Sequence, residues 1–235
     1  MELNQKALQE GWNTETLLRT VIEQVFPGRI AVVSSFGTES AILLHLAAKV
    51  DRAVPVIFLE TGKLFPETLA YRDTLIGRLG LTDVRSIRPD PAVIADLDPD
   101  GTLWRSDPGL CCWQRKVEPL DGALQGFEAW ITGRKRLQGG QRTDLALIES
   151  GDDGRTKVNP LAFWTEEDMT AYFNAHDLPR HALEAKGYRS IGCAPCTRAV
   201  KPGESARAGR WSGLDKTECG IHDRSVVVNA RGGGI

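Results

Sequence analysis

No apolar run in this 235-residue sequence approaches the roughly 20 residues that a helix needs to span a bilayer. Nor is there a charge excess: 29 Lys and Arg face 31 Asp and Glu, for a formal net charge of −2. A dedicated nucleic-acid binder usually carries a large basic surplus, so the balance argues against that class. The opening stretch, MELNQKALQEGW, is polar, without the apolar core of a signal peptide and without a lipidation motif. The expected compartment is therefore the cytoplasm. No internal repeat is present. Cysteines are few, five in all, and an odd number cannot pair completely within the chain. In a reducing compartment they are expected to be free, metal-binding or catalytic. Hydrophobic residues make up 41% of the chain, enough at this length for a sizeable core without covalent staples.

What is present begins with alternation. Ile30–Ser34 and Val54–Leu59 read as buried strands, and Val84–Ile87 as a weaker one, closed by the proline-rich stretch Pro89–Pro99. Between them, Glu39–Val50 places Ile42, Leu43, Leu46 and Ala47 on one helical face. Pro66 opens a second helix, which Gly80 stops after Leu79. Ala129–Thr132 and Lys157–Asn159 read as further strands. Thr165–Asp168 has the form of a helix cap, with the helix reaching about Ala175. Alternating strands and helices predict an α/β fold with a mostly parallel sheet flanked by helices. From about Ala199 the pattern fades. The expected division is residues 1–200 as an α/β domain and 201–235 as a flexible C-terminal segment.

Charge is unevenly spread. Nine Lys and Arg against four Asp and Glu lie between Lys186 and Arg231, and Arg134, Lys135, Arg136 and Arg142 form a second basic cluster. Such clusters are either solvated surface or the walls of a site for a small anion.

Four motifs carry candidate chemistry. Ser34-Ser35-Phe36-Gly37-Thr38-Glu39-Ser40 joins a strand to a helix, where free backbone N–H groups suit an anion and Ser35 and Ser40 add hydroxyls. It lacks the Gly-Lys-Ser/Thr ending of a Walker A loop. Leu59-Glu60-Thr61-Gly62-Lys63 ends the next strand, and ligands of parallel sheets sit beyond the carboxyl ends of strands. Cys111-Cys112 and the C-x-x-C of Cys193 and Cys196 supply four thiols. Adjacent cysteines grip a single ion awkwardly, which favours a [4Fe–4S] cluster over Zn²⁺. A redox pair with two buried thiols also remains open on spacing alone. Cys219, in Glu218-Cys219-Gly220-Ile221-His222, lies among cations that favour a thiolate and suit a nucleophile.

Together these segments resemble the assimilatory sulfonucleotide reductases, which act on adenylyl sulfate (APS) or phosphoadenylyl sulfate (PAPS). The matching stretches are SSFGTES, LETGKLFPET, CCWQRKVEPL, ITGRKRLQGGQR, NPLAFWTEEDM, GYRSIGCAPCTRAVKPGESARAGRW and ECGIH. ECGIH resembles the family's Glu-Cys-Gly-Leu-His signature, and Ser40 stands where many members have Asp.

The resemblance implies an adenine-nucleotide α-hydrolase-like fold of the PP-loop type. Within the family, the four cysteines mark the branch that usually reduces APS. The resemblance thus implies a [4Fe–4S] cluster on Cys111, Cys112, Cys193 and Cys196. It implies Cys219 as nucleophile, forming an S-sulfocysteine, with thioredoxin or a glutaredoxin-like protein as reductant and AMP as product. Lys116, Arg207, Arg210 and His222 would surround the sulfate and phosphate, with Arg142 on a loop over the nucleotide. Ser35 and Gly37 would meet the phosphate, and Glu60, Thr61 and Gly62 the adenosine. Alternatives are a PAPS reductase, an ATP-using PP-loop enzyme, or an Fe–S or Zn redox sensor. No nucleic acid or membrane partner is expected, and a homo-oligomer is compatible with the sequence.

Overall fold

A computed structural model describes residues 2–214 and 216–222. Residues 223–235, part of the predicted C-terminal segment, lie outside the described residues. Six strands form one sheet: β1 (Ile30–Val33), β2 (Val56–Leu59), β3 (Val84–Ile87), β4 (Ala129–Ile131), β5 (Ile148–Ser150) and β6 (Thr156–Val158). Their spatial order is β3-β2-β1-β4-β6-β5. All neighbours run parallel except β5 and β6, which are antiparallel at the edge. The order reverses at β1, so crossovers leave in opposite directions on its two sides. A crevice opens at such a switch point.

Helices cover the sheet: α1 (Glu2–Gln9), α2 (Thr14–Arg19), α3 (Ser40–Val50), α4 (Pro66–Leu79), α5 (Pro91–Leu97), α6 (Leu103–Ser106), α7 (Pro108–Cys112), α8 (Glu118–Ala123) and α9 (Glu166–Ala175). α3 buries Ala41, Ile42, Leu43, Leu44, Leu46 and Ala47. α9 begins with a reciprocal box, in which the Thr165 hydroxyl accepts from the Asp168 N–H while the Asp168 carboxylate accepts from the Thr165 N–H. The proline-rich stretch after β3 contains a helix, because Asp90 caps it and Pro91 suits its first turn.

Strand alternation sorts the core into two layers. Ile30, Val32, Val56, Phe58, Ala129 and Ile131 face the main core with α3 and α4. Ala31, Ile57 and Trp130 face the other way, onto Leu120 and Leu124 of the α8 region. The stretch after Ala199 has little regular structure but is tied down. Thr197 and Arg210 bridge, the Trp211 N–H donates to the Cys196 carbonyl at 3.0 Å, and Trp211 is buried.

Candidate active site and thiol cluster

The β1–α3 connection is held by its own backbone. The Phe36 N–H donates to the Ser34 hydroxyl at 3.2 Å. Phe36 itself has φ 48°, an outlier for a bulky residue, and its fully buried ring meets Phe58 edge-on at 5.1 Å. Packing thus holds a strained turn at the mouth of the sheet, as functional loops often require. With the turns after β2 and β4 it walls a cavity of about 210 Å³ beyond the strands' carboxyl ends.

The wall is cationic. Lys116, Arg134, Lys135, Arg142, Arg207 and Arg210 all contribute to it, and Glu39 and Glu218 are its carboxylates. Lys135 is nearly fully buried, its ammonium 2.5 Å from Glu39. Arg142 donates from Nε and Nη2 to the two Glu218 oxygens, each at 2.9 Å, and Arg207 reaches Glu218 at 3.1 Å. Burial, then the charge of Arg142, pushes Arg207 down to about 10. Arg210 lies against the backbone of Gly192. A Cβ there would sit 2.2 Å from its Nη2, so only glycine admits this approach.

Of the residues singled out in the sequence, Ser35, Gly37, Thr61, Lys116, Arg142, Arg207, Arg210, Cys219 and His222 all line this one cavity. Glu60 and Gly62 are not part of its wall. The Glu60 carboxylate turns to Arg88 at 2.7 Å and Arg72 at 3.7 Å. Arg136, in the predicted basic cluster, covers Phe163 at 4.3 Å instead.

The four other cysteines line a second, small chamber with Trp104, Pro108, Pro195 and Trp211. Cys111 and Cys112 end α7, and Cys193 and Cys196 flank a single 3-10 turn. Burial pushes the thiols of Cys111 and Cys112 up, to about 12 and about 11, and also raises Cys196. Cys193 goes the other way. Burial opposes its thiolate, but the Lys116 ammonium and the Thr61 hydroxyl, 3.3 Å from Sγ, outweigh it. Lys116 is the counterpart: burial disfavours its charge, yet the neighbouring sulfurs, Cys193 first, hold its pKa above the usual lysine value. It lies in a π-helical segment, Trp113–Val117, directly after α7.

Among the described residues, no three His, Cys, Asp or Glu side chains converge on one ion position. The four thiols do line one chamber, and a cluster would offer each of them its own iron.

A sequence profile of the phosphoadenosine phosphosulfate reductase domain matches residues 29–199. The chain belongs to this family. Among its relatives, an adenosine 5'-phosphosulfate reductase of Mesorhizobium japonicum is 52% identical over 88% of this chain and 81% of its own. One of Mycolicibacterium smegmatis is 43% identical over 89% and 88%. Among solved structures, phosphoadenylyl-sulfate reductase from Candida auris, a phosphate complex, has a TM-score of 0.71 at 27% identity, covering 85% of this chain and 95% of that one. Yeast FAD synthetase shares the fold alone, with a TM-score of 0.56 at 17% identity over 84% and 67%. The predicted adenine-nucleotide α-hydrolase-like architecture, mostly parallel and flanked by helices, is thus the observed one.

Sequence reasoning missed Trp130, Lys157, Glu218 and Trp211 as site residues. Trp130 and Lys157 are cross-strand partners in β4 and β6. Their link to the site is a strand register, which a linear pattern does not display.

Proposed function

We propose that this chain reduces adenylyl sulfate to sulfite and AMP, with Cys219 as nucleophile and a thioredoxin-type protein as reductant. The observation that carries the reading is Cys219 in the wall of the cationic cavity, within the field of Lys116. The phosphosulfate is an anion that repels a thiolate, so cations must offset both charges. Lys116, Arg207 and Arg210 would do this around the sulfate and phosphate. Burial, and then the charge of Arg134, holds His222 well below the usual histidine value, so it would offer the anion a neutral ring and no charge. Ser35 and Gly37 would meet the phosphate, Thr61 the adenosine side, and Arg142 the nucleotide's open face.

The Cys219 thiolate attacks the sulfur. An S–S bond forms, the S–O bond to phosphate breaks, and AMP leaves with that electron pair. A thiolate of reduced thioredoxin then attacks Cys219 Sγ and expels sulfite. Its second thiol resolves the mixed disulfide, leaving oxidised thioredoxin and the Cys219 thiol. For both steps Cys219 must pass from the cavity to the surface, so of the predicted C-terminal segment the residues around Cys219, beyond the Trp211 tie, would be the ones that move. Such chemistry suits a reducing compartment, the cytoplasm.

Cys111, Cys112, Cys193 and Cys196 would hold a [4Fe–4S] cluster. When bound, it supplies a fixed charge and a covalent tie beside Lys116. Lys116 in turn faces both the thiols and the sulfate position.

Incubation with APS and no reductant tests the reading. We expect a mass gain of one SO₃ group, located on Cys219 and absent from Cys219→Ser. An adduct elsewhere, or none, overturns it. The named relatives and the four cysteines favour APS over PAPS, and faster turnover of PAPS would reverse that assignment.

A further inference from the structure

We propose that Trp130 and Lys157 form a platform that docks the segment carrying Cys219, making both positioning residues for the reaction. The inference rests on Cys219 being the nucleophile, as proposed above.

Trp130 in β4 lies directly opposite Lys157 in β6, so both side chains emerge on the same face of the sheet. The Lys157 ammonium lies 5.7 Å from the Trp130 ring centre. The chain after Cys219 lands on this pair. The His222 ring stacks on Trp130 at 5.2 Å with an interplanar angle of 4°. The Lys157 ammonium donates to the His222 carbonyl at 2.8 Å. Ile221 packs onto the layer of Leu120, Leu124 and Trp130.

On the other side of Cys219, Glu218 is gripped by Arg142 and Arg207. Between the anchors, Gly220 has φ 89°, a left-handed conformation that lets the chain turn. Cys219 is therefore pinned from both flanks. The Arg142–Arg207 anchor belongs to the anion site, whereas the Trp130–Lys157 anchor lies on the sheet, outside the cavity wall, and reaches that site only through His222. Its contacts recognise a stacked ring and a backbone carbonyl, so they are made when the segment docks and broken when it leaves.

The test is iodoacetamide labelling of the holoprotein, with Cys219 read by peptide mass, in Trp130→Leu, Lys157→Met and Trp130→Phe. AMP binding is measured in parallel. We expect Leu and Met to raise Cys219 labelling by roughly tenfold, the order one stacked or charged contact supplies. Trp130→Phe, which keeps a ring to stack on, should stay near wild type, and AMP affinity should fall by no more than the loss of the one His222 contact, as measured in His222→Ala. Under saturating APS the same two variants should lower kcat with KM little changed.

Unchanged labelling in both Trp130→Leu and Lys157→Met overturns the platform. So does an equal rise in Trp130→Phe, which would exclude the stack, or a loss of AMP affinity beyond that of His222→Ala, which would mean general loosening. If Trp130→Leu fails to fold, Lys157→Met and Trp130→Phe decide alone. Labelling needs no turnover, so its result stands apart from the SO₃ adduct on wild-type Cys219. Absence of that adduct would sink the nucleophile assignment and leave the docking result intact.

Discussion

Glu218 places a carboxylate where the substrate's own anion is expected to go. Its bidentate pair with Arg142 and its contact with Arg207 occupy two of the cavity's guanidinium groups. Planar forks of this kind suit phosphate and carboxylate equally. Removing the carboxylate should therefore act in opposite directions on binding and chemistry. Glu218→Gln is expected to bind AMP several-fold tighter, because the arginines no longer have a competing anion. The same variant should form the Cys219 adduct about tenfold more slowly, roughly 1.4 kcal/mol in barrier, because one flank of Cys219 is loose. Calorimetric titration with AMP and single-turnover mass spectrometry measure the two effects. Weaker AMP binding with unchanged adduct formation would show that Glu218 supports the site instead of competing for it.

At the scale of elements, much was legible. β1 through β4, α3, α4 and α9 lie within two residues of where apolar runs and caps placed them. The reason is physical: buried parallel strands read as continuous apolar runs. β5 was not legible, since Ile148–Ser150 has one buried residue and its pairing with β6 is long-range. The short helices between Pro91 and Ala123 were hidden by prolines that open turns as readily as they end strands. In the site, cysteines and glycine turns announced themselves by residue type, while Trp130 and Lys157 depend on register and Glu218 on a chain reversal.

One element-scale feature also sets a pH dependence. His181 is buried between α4 and the chain after α9. Its Nδ1 accepts from the Leu183 N–H at 3.1 Å and its Nε2 lies 3.2 Å from the hydroxyl of Thr68, a cavity-wall residue. Burial lowers its pKa, only partly opposed by Glu67. The unfolded chain then takes up this proton first as pH falls. The contribution is intact above the unfolded value of about 6.5 and is lost as pH drops toward the folded one, at up to about 1.4 kcal/mol per pH unit. Urea midpoints at pH 7, 6 and 5 should fall less steeply for His181→Asn than for wild type. Parallel slopes would remove His181 from the account.

At the scale of the molecule, the two chambers share walls. Lys116, Arg210 and Trp211 line both the cationic cavity and the thiol chamber. The thiol chamber joins α7 to the turn at Cys193–Cys196, and the Trp211 backbone hangs from Cys196. None of these contacts runs through the sheet, whose main core lies with α3 and α4. If the four cysteines hold the proposed cluster, removing its iron should therefore loosen one side of the molecule and spare the other. After anaerobic chelation, backbone hydrogen exchange is expected to rise in residues 108–117 and 191–211 and to stay slow in β1, β2 and β4. AMP affinity should fall by about tenfold, or roughly 1.4 kcal/mol, as Lys116 and Arg210 lose their fixed positions. A uniform rise across the sheet would make the four-thiol site part of the global fold. No rise at residues 108–117 would mean that these cysteines hold no cluster, and the charge at Lys116 would then be set by the thiols alone.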